Sequence, residues 1–272
     1  MVKPASKLML KQRIITALLL APVLLTIVIY GNLNWFLLLI AVIQTAAIFE
    51  WLKINKLKPP LALINGITIT ILTLYLTLQF EPQVHLWIWV YAFVWLLALL
   101  WLLNHRWGYE NSTFHLLVKG FLGVIALMLF STSMIQLYTI DQGHWWTLSL
   151  FLLIWVADIG AYISGKTMGK HKLAIKISPG KTWEGVIGAQ VLVAVYAVII
   201  SQLLDIEWTQ AVLIMIPIAL FSVVGDLVAS LGKRQAKIKD SSNLLPGHGG
   251  FIDRFDSLIA AAPLYFYLIT YL

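Results

Sequence analysis

The stretch Val84-His-Leu-Trp-Ile-Trp-Val-Tyr-Ala-Phe-Val-Trp-Leu-Leu-Ala-Leu-Leu-Trp-Leu-Leu103 contains no acidic or basic residue other than His85. Its 20 residues reach the length of an α-helix needed to cross the hydrocarbon core of a bilayer, and no amphipathic period gives it a water-facing side. Working outward, the same pattern recurs along the chain. Candidate spans run over Ile14–Tyr30, Leu33–Ala47, Leu61–Phe80, Val84–Leu103, Gly120–Leu137, Trp145–Ser164, Val186–Leu204, Ala211–Ser230 and Leu258–Leu272. The expected fold is therefore an all-α, polytopic membrane protein of about nine helices, forming a single membrane domain over 1–272. Residues 1–137 are expected to be mainly scaffold, and 145–272 to carry most of the polar chemistry.

Composition agrees. Of 272 residues 60% are hydrophobic and 11% charged, where an ordinary soluble domain has about 25% charged residues. A water-soluble fold of this size cannot hide so much apolar surface. The absence of cysteine excludes disulfides, thiolate nucleophiles and Cys-based zinc sites. The six histidines never stand four apart, so a helical His pair is excluded as well.

The 19 basic residues exceed the 12 acidic ones, for a net charge of +7. With nine spans, every Lys and Arg falls in the N-terminal tail, Trp51–Pro60, Asn104–Lys119, Gly165–Lys181 or Leu231–Ser257. The opposite connections hold Glu81, Asp141, Asp205 and Glu207 and no basic residue. Such sorting is the positive-inside pattern, and it predicts a cytoplasmic N-terminus and cytoplasmic Lys-rich loops; the expected location is a bacterial-type inner (plasma) membrane. The basic first run continues directly into a second span, so it reads as a retained anchor rather than a cleaved signal. The positive charge thus gives no reason to expect nucleic acid as a partner.

The polar residues cluster in the second half. Asp158 lies within the sixth span, where an ionisable group costs roughly 2.5–3.5 kcal/mol and must face the bundle or water. Tyr162 and Lys166 follow on the same helical face. Gly160 to Thr167 matches G-x-x-x-x-G-K-[ST], yet a phosphate-binding loop needs a strand before it and free amides within it. Here the glycines sit inside an apolar helix, and the match is set aside. In Ser178-Pro-Gly-Lys181-Thr182-Trp-Glu184, Pro179-Gly180 predicts a turn and Thr182 an N-cap for the next helix.

The eighth span ends on Asp226, Ser230 and Lys233, one face of a helix. It is followed by Arg234, Lys239-Asp240, His248 between glycines, and Asp253-Arg254-Phe-Asp256. Asp253 and Asp256 are three apart and share a face. Carboxylates from two helix ends suit a hard divalent cation such as Mg²⁺, which keeps positions for substrate phosphates. Surrounding Lys and Arg suit phosphate oxygens. Together these groups predict phosphoryl or nucleotidyl transfer at the cytoplasmic end of the bundle.

The stretch Ser230 to Asp256 resembles the signature of the phosphatidate cytidylyltransferase family, the CDP-diacylglycerol synthases. The family pattern S-x-φ-K-R-x₄-K-D…P-x-H-G-G-φ-x-D-R-φ-D is met by Ser230, Lys233-Arg234, Lys239-Asp240, Pro246, His248-Gly-Gly250, Asp253-Arg254 and Asp256. Ser178 to Gly185 and Asp158 to Tyr162 also look like family blocks. Gly232 departs from the pattern, which has a large apolar residue there. The resemblance implies transfer of a cytidylyl group from CTP to phosphatidate, with Mg²⁺ as cofactor and a second cation left open. By that analogy Asp226 and Asp253, with Asp256, hold the metal. Lys233, Arg234, Lys239, Arg254 and His248 are the expected catalytic residues. Ser178, Lys181, Thr182, Ser230, Asp158 and Tyr162 are expected to bind substrate. The bilayer is an expected partner, and a homodimer is left open. A CDP-alcohol phosphotransferase is disfavoured because its D-G-x₂-A-R motif is absent. A transporter is disfavoured because the carboxylates gather at one membrane end rather than at the midplane.

Overall fold

The computed structural model describes residues 4–80, 84–109 and 112–271. Lys3, Glu81 and Leu272 lie outside the described residues, as do the side chains of Lys7, Lys11 and Arg13 in the basic tail. The described chain is helical almost throughout. Its helices are α1 (Pro4–Tyr30), α2 (Leu33–Ile54), α3 (Pro59–Gln79), α4 (Val84–Leu103), α5 (Thr113–Thr139), α6 (Gly143–Thr167), α7 (Trp183–Leu204), α8 (Trp208–Gln235) and α9 (Ile252–Thr270). Between α6 and α7 lies a two-stranded antiparallel hairpin, β1 (Lys172–Ala174) and β2 (Ser178–Thr182). Among the described residues, seven helices, α2 to α8, are long and apolar enough to cross a membrane.

The helices follow the expected spans in order, but several run past the expected ends. The second span was expected to stop at Ala47, with a loop from Trp51. Instead α2 continues to Ile54, carrying Glu50 and Trp51 into the interior at 0% and 6% exposure. Trp51 stays helical because it has a seat: its indole Nε1 donates to the Lys119 carbonyl (3.0 Å), and Gly123 leaves room for the ring. Gly232 faces the same indole, where an added Cβ would lie 3.1 Å from two ring atoms. The volume that a large residue at 232 would claim is filled by Trp51. Similarly, α5 starts at Thr113, so Lys119 is buried in a helix rather than in a loop. Its ammonium donates to Gly108 O (3.2 Å) and Gln235 Oε1 (3.0 Å), which satisfies the charge locally.

Pro179-Gly180 was expected to turn. In the structure both residues lie within β2, and the reversal falls at 175–177. A two-stranded hairpin has an unpaired edge, where a proline without an N–H is tolerated.

Close helix approach explains the glycines of the set-aside motif. A Cβ on Gly160 would lie 2.9 Å from the Ala189 Cα, and one on Gly188 would meet Ser164 Oγ at 1.8 Å. Gly185 likewise abuts the Ala161 carbonyl (2.9 Å). Small residues on facing helices let backbones pack directly, the usual adhesive between apolar helices. The α8–α9 pair does the same: a Cβ on Gly225 would meet the Asp256 carbonyl at 2.5 Å and the Ala260 Cβ at 2.7 Å. That contact sets the neighbouring Asp226 beside the first turns of α9.

Candidate active site

Two ion pairs of different character sit at the polar end of the bundle. Lys181 at the end of β2 meets Asp226 of α8, with Nζ to Oδ2 at 2.7 Å and side chains 25% and 30% exposed. Lys233 of α8 meets Asp253 of α9 at 2.5 Å, with side chains only 9% and 5% exposed. The first pair is open to solvent and can exchange its partners, while the second is sealed.

Around the open pair the structure gathers charges from four elements. Asp158 of α6 has Lys181, Asp226 and Arg254 as electrostatic neighbours. Asp256 of α9 has Asp226, Lys233 and Lys181. Ser230, one turn on from Asp226, donates its hydroxyl to Asp226 Oδ1 at 3.1 Å. Three carboxylates (Asp158, Asp226, Asp256) thus share a small region with Lys181 and Arg254. Thr182 accepts from the Gly185 amide (3.1 Å) and so starts α7 as expected, fixing the strand that presents Lys181. Glu184 clasps the same open end of the hairpin through His171 Nδ1 at 2.6 Å.

Asp253 is occupied differently. Its Oδ1 takes Lys233, and its Oδ2 accepts from the Ser241 amide (2.8 Å), the Ser241 hydroxyl (3.0 Å) and the Gly250 amide (2.9 Å). Burial pushes this carboxyl up, but Lys233 and the two amides outweigh that and hold it below the ordinary carboxylate value. Gly249 has φ +82°, a backbone region that favours glycine, and a Cβ there would stand 2.6 Å from Asp253 Oδ2.

The remaining expected residues divide. Arg254 donates through Nε to the His248 carbonyl (3.0 Å), and the His248 amide to Leu245 O (2.8 Å), so His248 and Arg254 brace the glycine turn. Arg234 spends Nε and Nη1 on the carbonyls of Ile177 and Ile238, tying the hairpin to the end of α8. Ser178 opens β2, partly buried. Tyr162 is 65% exposed and receives Lys166 on its hydroxyl (3.2 Å), so Lys166 pairs with Tyr162 rather than with Asp158. Lys239 is exposed, with no hydrogen bond or ion pair to another described residue.

One carboxylate was not singled out from the sequence. Glu50 of α2, fully buried, accepts from Ser241 Oγ (2.8 Å), Ser242 Oγ (2.6 Å), the Phe251 amide (2.9 Å) and the Ile252 amide (2.9 Å). A lone acid in the apolar run Ala-Ile-Phe49-Glu50-Trp51-Leu was the available signal.

For a divalent cation, the donor set that fits is Asp226 with Asp256. These are oxygen ligands on adjacent helices, mutually repelling and in need of positive charge. Mg²⁺ commonly uses one or two carboxylates and completes its shell with water and substrate phosphates. Among the described residues no three His, Asp or Glu side chains form a ready-made metal cage. Asp253 joins such a shell only where Lys233 yields Oδ1.

Carboxylates from three helices (Asp158, Asp226 and Asp256) thus stand with one solvent-accessible lysine, Lys181, and with Arg254 of the Ser230–Asp256 stretch. A sequence model of the cytidylyltransferase family matches residues 11–272. The chain belongs to the cytidylyltransferase family. Three relatives, each a phosphatidate cytidylyltransferase, resemble it over nearly their full length. That of Haemophilus influenzae is 33% identical over 95% of this chain and 98% of its own. That of Pseudomonas aeruginosa is 36% identical, covering 94% and 96%. That of Bacillus subtilis is 36% identical, covering 96% and 98%. Family membership extends through α1 to α5 as well, so the matched unit includes Glu50.

Proposed function

We propose that the chain is a phosphatidate cytidylyltransferase: CTP and phosphatidate give CDP-diacylglycerol and pyrophosphate. The observation that carries this reading is the cytidylyltransferase match across residues 11–272, combined with the solvent-open Lys181–Asp226 pair among Asp158, Asp256 and Arg254. An apolar cavity of about 510 Å³, lined by Trp51, Trp95, Trp101 and Ile259 together with Asp256 and Lys119, supports a substrate with a hydrocarbon part.

In this reading a phosphatidate phosphate oxygen attacks the α-phosphorus of CTP in line. The bond from the α-phosphorus to the bridging oxygen breaks, and pyrophosphate leaves with the electron pair. A phosphate monoester has a second pKa of about 6 and is mostly dianionic at neutral pH, so no general base is required. The harder task is to hold two polyanions together. Lys181 and Arg254 take phosphate oxygens, with Lys239 approaching from the exposed loop. Asp226 and Asp256 hold Mg²⁺, which when bound neutralises phosphate charge. Nine spans, a cytoplasmic N-terminus and cytoplasmic active-site loops complete the proposal. Their support is the one-sided distribution of the 19 basic residues.

The test is incubation of the purified protein with phosphatidate, labelled CTP and Mg²⁺. Labelled lipid and pyrophosphate should appear in equal amounts. Absence of both, in protein that is folded and monodisperse, removes the reading.

A further inference from the structure

Helix α9 carries Asp253, Arg254 and Asp256 in its first turns, so where it begins decides where these groups stand. The first amides of a helix have no partner within it and are usually met by an N-cap side chain. Phe251 occupies that position and provides no side-chain cap. The carboxylate that answers the need comes from another helix, some 200 residues earlier. Glu50 of α2 accepts the Phe251 and Ile252 amides, one on each oxygen, both at 2.9 Å.

The same carboxylate holds the loop that leads into α9. Ser242 donates to Oε1 at 2.6 Å and Ser241 to Oε2 at 2.8 Å. Ser241 is also the residue whose amide and hydroxyl meet Asp253 Oδ2. Glu50, Ser241 and Asp253 therefore form one continuous clasp from the first half of the chain to the site. Gly250 shows how tightly it closes: a Cβ there would lie 2.1 Å from Ser241 Oγ and 2.4–2.5 Å from both Glu50 oxygens. The second glycine of His248-Gly-Gly250 is needed because Glu50 fills the space beside it.

We propose that Glu50 is a positioning residue for the transfer reaction, capping α9 from another helix so that, with Asp253 held in the frame, Arg254 and Asp256 meet the substrates in register. It touches neither substrate. Its negative charge also lies at the positive end of the α9 dipole, where an anion is favoured. Glu50→Gln keeps the size but places an NH₂ group against at least one of the two backbone donors.

The inference rests on the proposed cytidylyl transfer, and the experiment separates the two. Wild-type protein that makes no labelled lipid defeats the activity, whereas active wild type with equally active variants defeats the role of Glu50. In Glu50→Gln, kcat should fall on the order of 10–100-fold, the usual effect of losing a group that orients the groups in contact with substrate. The Mg²⁺ concentration for half-maximal rate should rise, while KM for phosphatidate stays within about threefold, because Glu50 acts through α9 rather than on the lipid. A variant that unfolds is replaced by Ser242→Ala, which removes one donor from the carboxylate. It should retain the fold and lose several-fold in kcat with the same rise in Mg²⁺ requirement. A folded Glu50→Gln with wild-type kcat, or an unfolded Glu50→Gln beside a Ser242→Ala of wild-type kcat and Mg²⁺ response, overturns the proposal.

Discussion

Consider breaking the sealed pair from either side. Lys233 and Asp253 are both nearly inaccessible, but their surroundings differ. Asp253 keeps two backbone donors, the Ser241 and Gly250 amides, and shares the single Ser241 hydroxyl proton with Glu50. Among the described residues the Lys233 ammonium has one hydrogen-bonded partner, Asp253, with Asp256 as a further electrostatic neighbour. Removing one partner of a buried pair costs roughly 3–5 kcal/mol when it strands the other charge. Asp253→Asn takes away the only hydrogen-bonded carboxylate of the ammonium among the described residues and leaves it Asp256 as an electrostatic neighbour, so it should show most of that cost. Lys233→Met leaves a carboxylate still met by two amides and by the hydroxyl it shares with Glu50, and hydrogen bonds to charged groups contribute about 1.5–3 kcal/mol each. Its cost should therefore be lower, about 1–3 kcal/mol by the same reasoning. In Lys233→Met/Asp253→Asn no charge is stranded, so the double variant should be no less stable than Asp253→Asn alone. Thermal unfolding in detergent, followed by tryptophan fluorescence, reads the order directly, at roughly 2–4 °C per kcal/mol for a large domain. Acid adds a second reading. The Asp253 carboxyl lies below its ordinary value in the folded protein, so its contribution is present at neutral pH and lost as pH falls through the folded value. Lys233→Met should reduce that acid sensitivity. If Lys233→Met proves as damaging as Asp253→Asn, or if the two losses add, the asymmetric clasp described here is wrong.

Other perturbations address the open side of the site. Asp226→Asn and Asp256→Asn should each lower turnover on the order of 10²–10³-fold without loss of membrane insertion, as removal of preorganised electrostatic groups does; a near-normal rate in either takes that residue out of the metal site. Chelation of divalent cations should stop turnover and added Mg²⁺ restore it, measured by pyrophosphate release. Lys181→Ala frees Asp226 of its counter-charge and removes a phosphate partner, so KM for CTP should rise about tenfold or more, equivalent to about 1.4 kcal/mol. An unchanged KM assigns that phosphate elsewhere. Gly188→Val drives methyl groups into Ser164 and should cost about 1–3 kcal/mol by overpacking. Ser164→Gly in the same chain should recover part of the lost thermal stability.

What could be read from the sequence follows the range of the forces involved. Membrane helices announce themselves residue by residue, because each 20-residue apolar run must satisfy its own backbone and meet lipid locally. The Ser230–Asp256 block was legible for a related reason, since its site residues lie within two adjacent helix ends and one loop. Glu50 was not legible, because its four partners stand about 190–200 positions away and nothing local predicts them. The ends of α2 and α5 were misplaced for the same reason. Glu50 and Lys119 look like loop residues by polarity, yet each is buried with donors or acceptors from distant segments. Ser-Pro-Gly-Lys-Thr read as a turn because proline and glycine favour one. Its strand character comes from pairing with β1 and from the Glu184–His171 clasp. The glycines that imitate a phosphate-binding loop were rightly discounted, and their packing role became visible only with α7 alongside.

The two lysine–carboxylate pairs divide the work of the site between rigidity and exchange. A sealed pair resists rearrangement, because either charge alone in the interior is costly. Lys233–Asp253, continued through Ser241 to Glu50, therefore suits a frame that fixes the start of α9. A partly exposed pair is held less firmly than a sealed one, since water can partly replace each partner. Lys181–Asp226 would thus part at lower cost than Lys233–Asp253 if a phosphate oxygen approached the ammonium and a cation the carboxylate. In the resting arrangement each group neutralises the other, so the region holding Asp158, Asp226 and Asp256 does not stand as an unrelieved cluster of like charge. On the proposed function, substrate arrival would exchange one ion pair for two, lysine with phosphate and carboxylate with cation. The frame and the exchangeable pair meet on α8, where seven residues separate Asp226 from Lys233, two turns of one helical face.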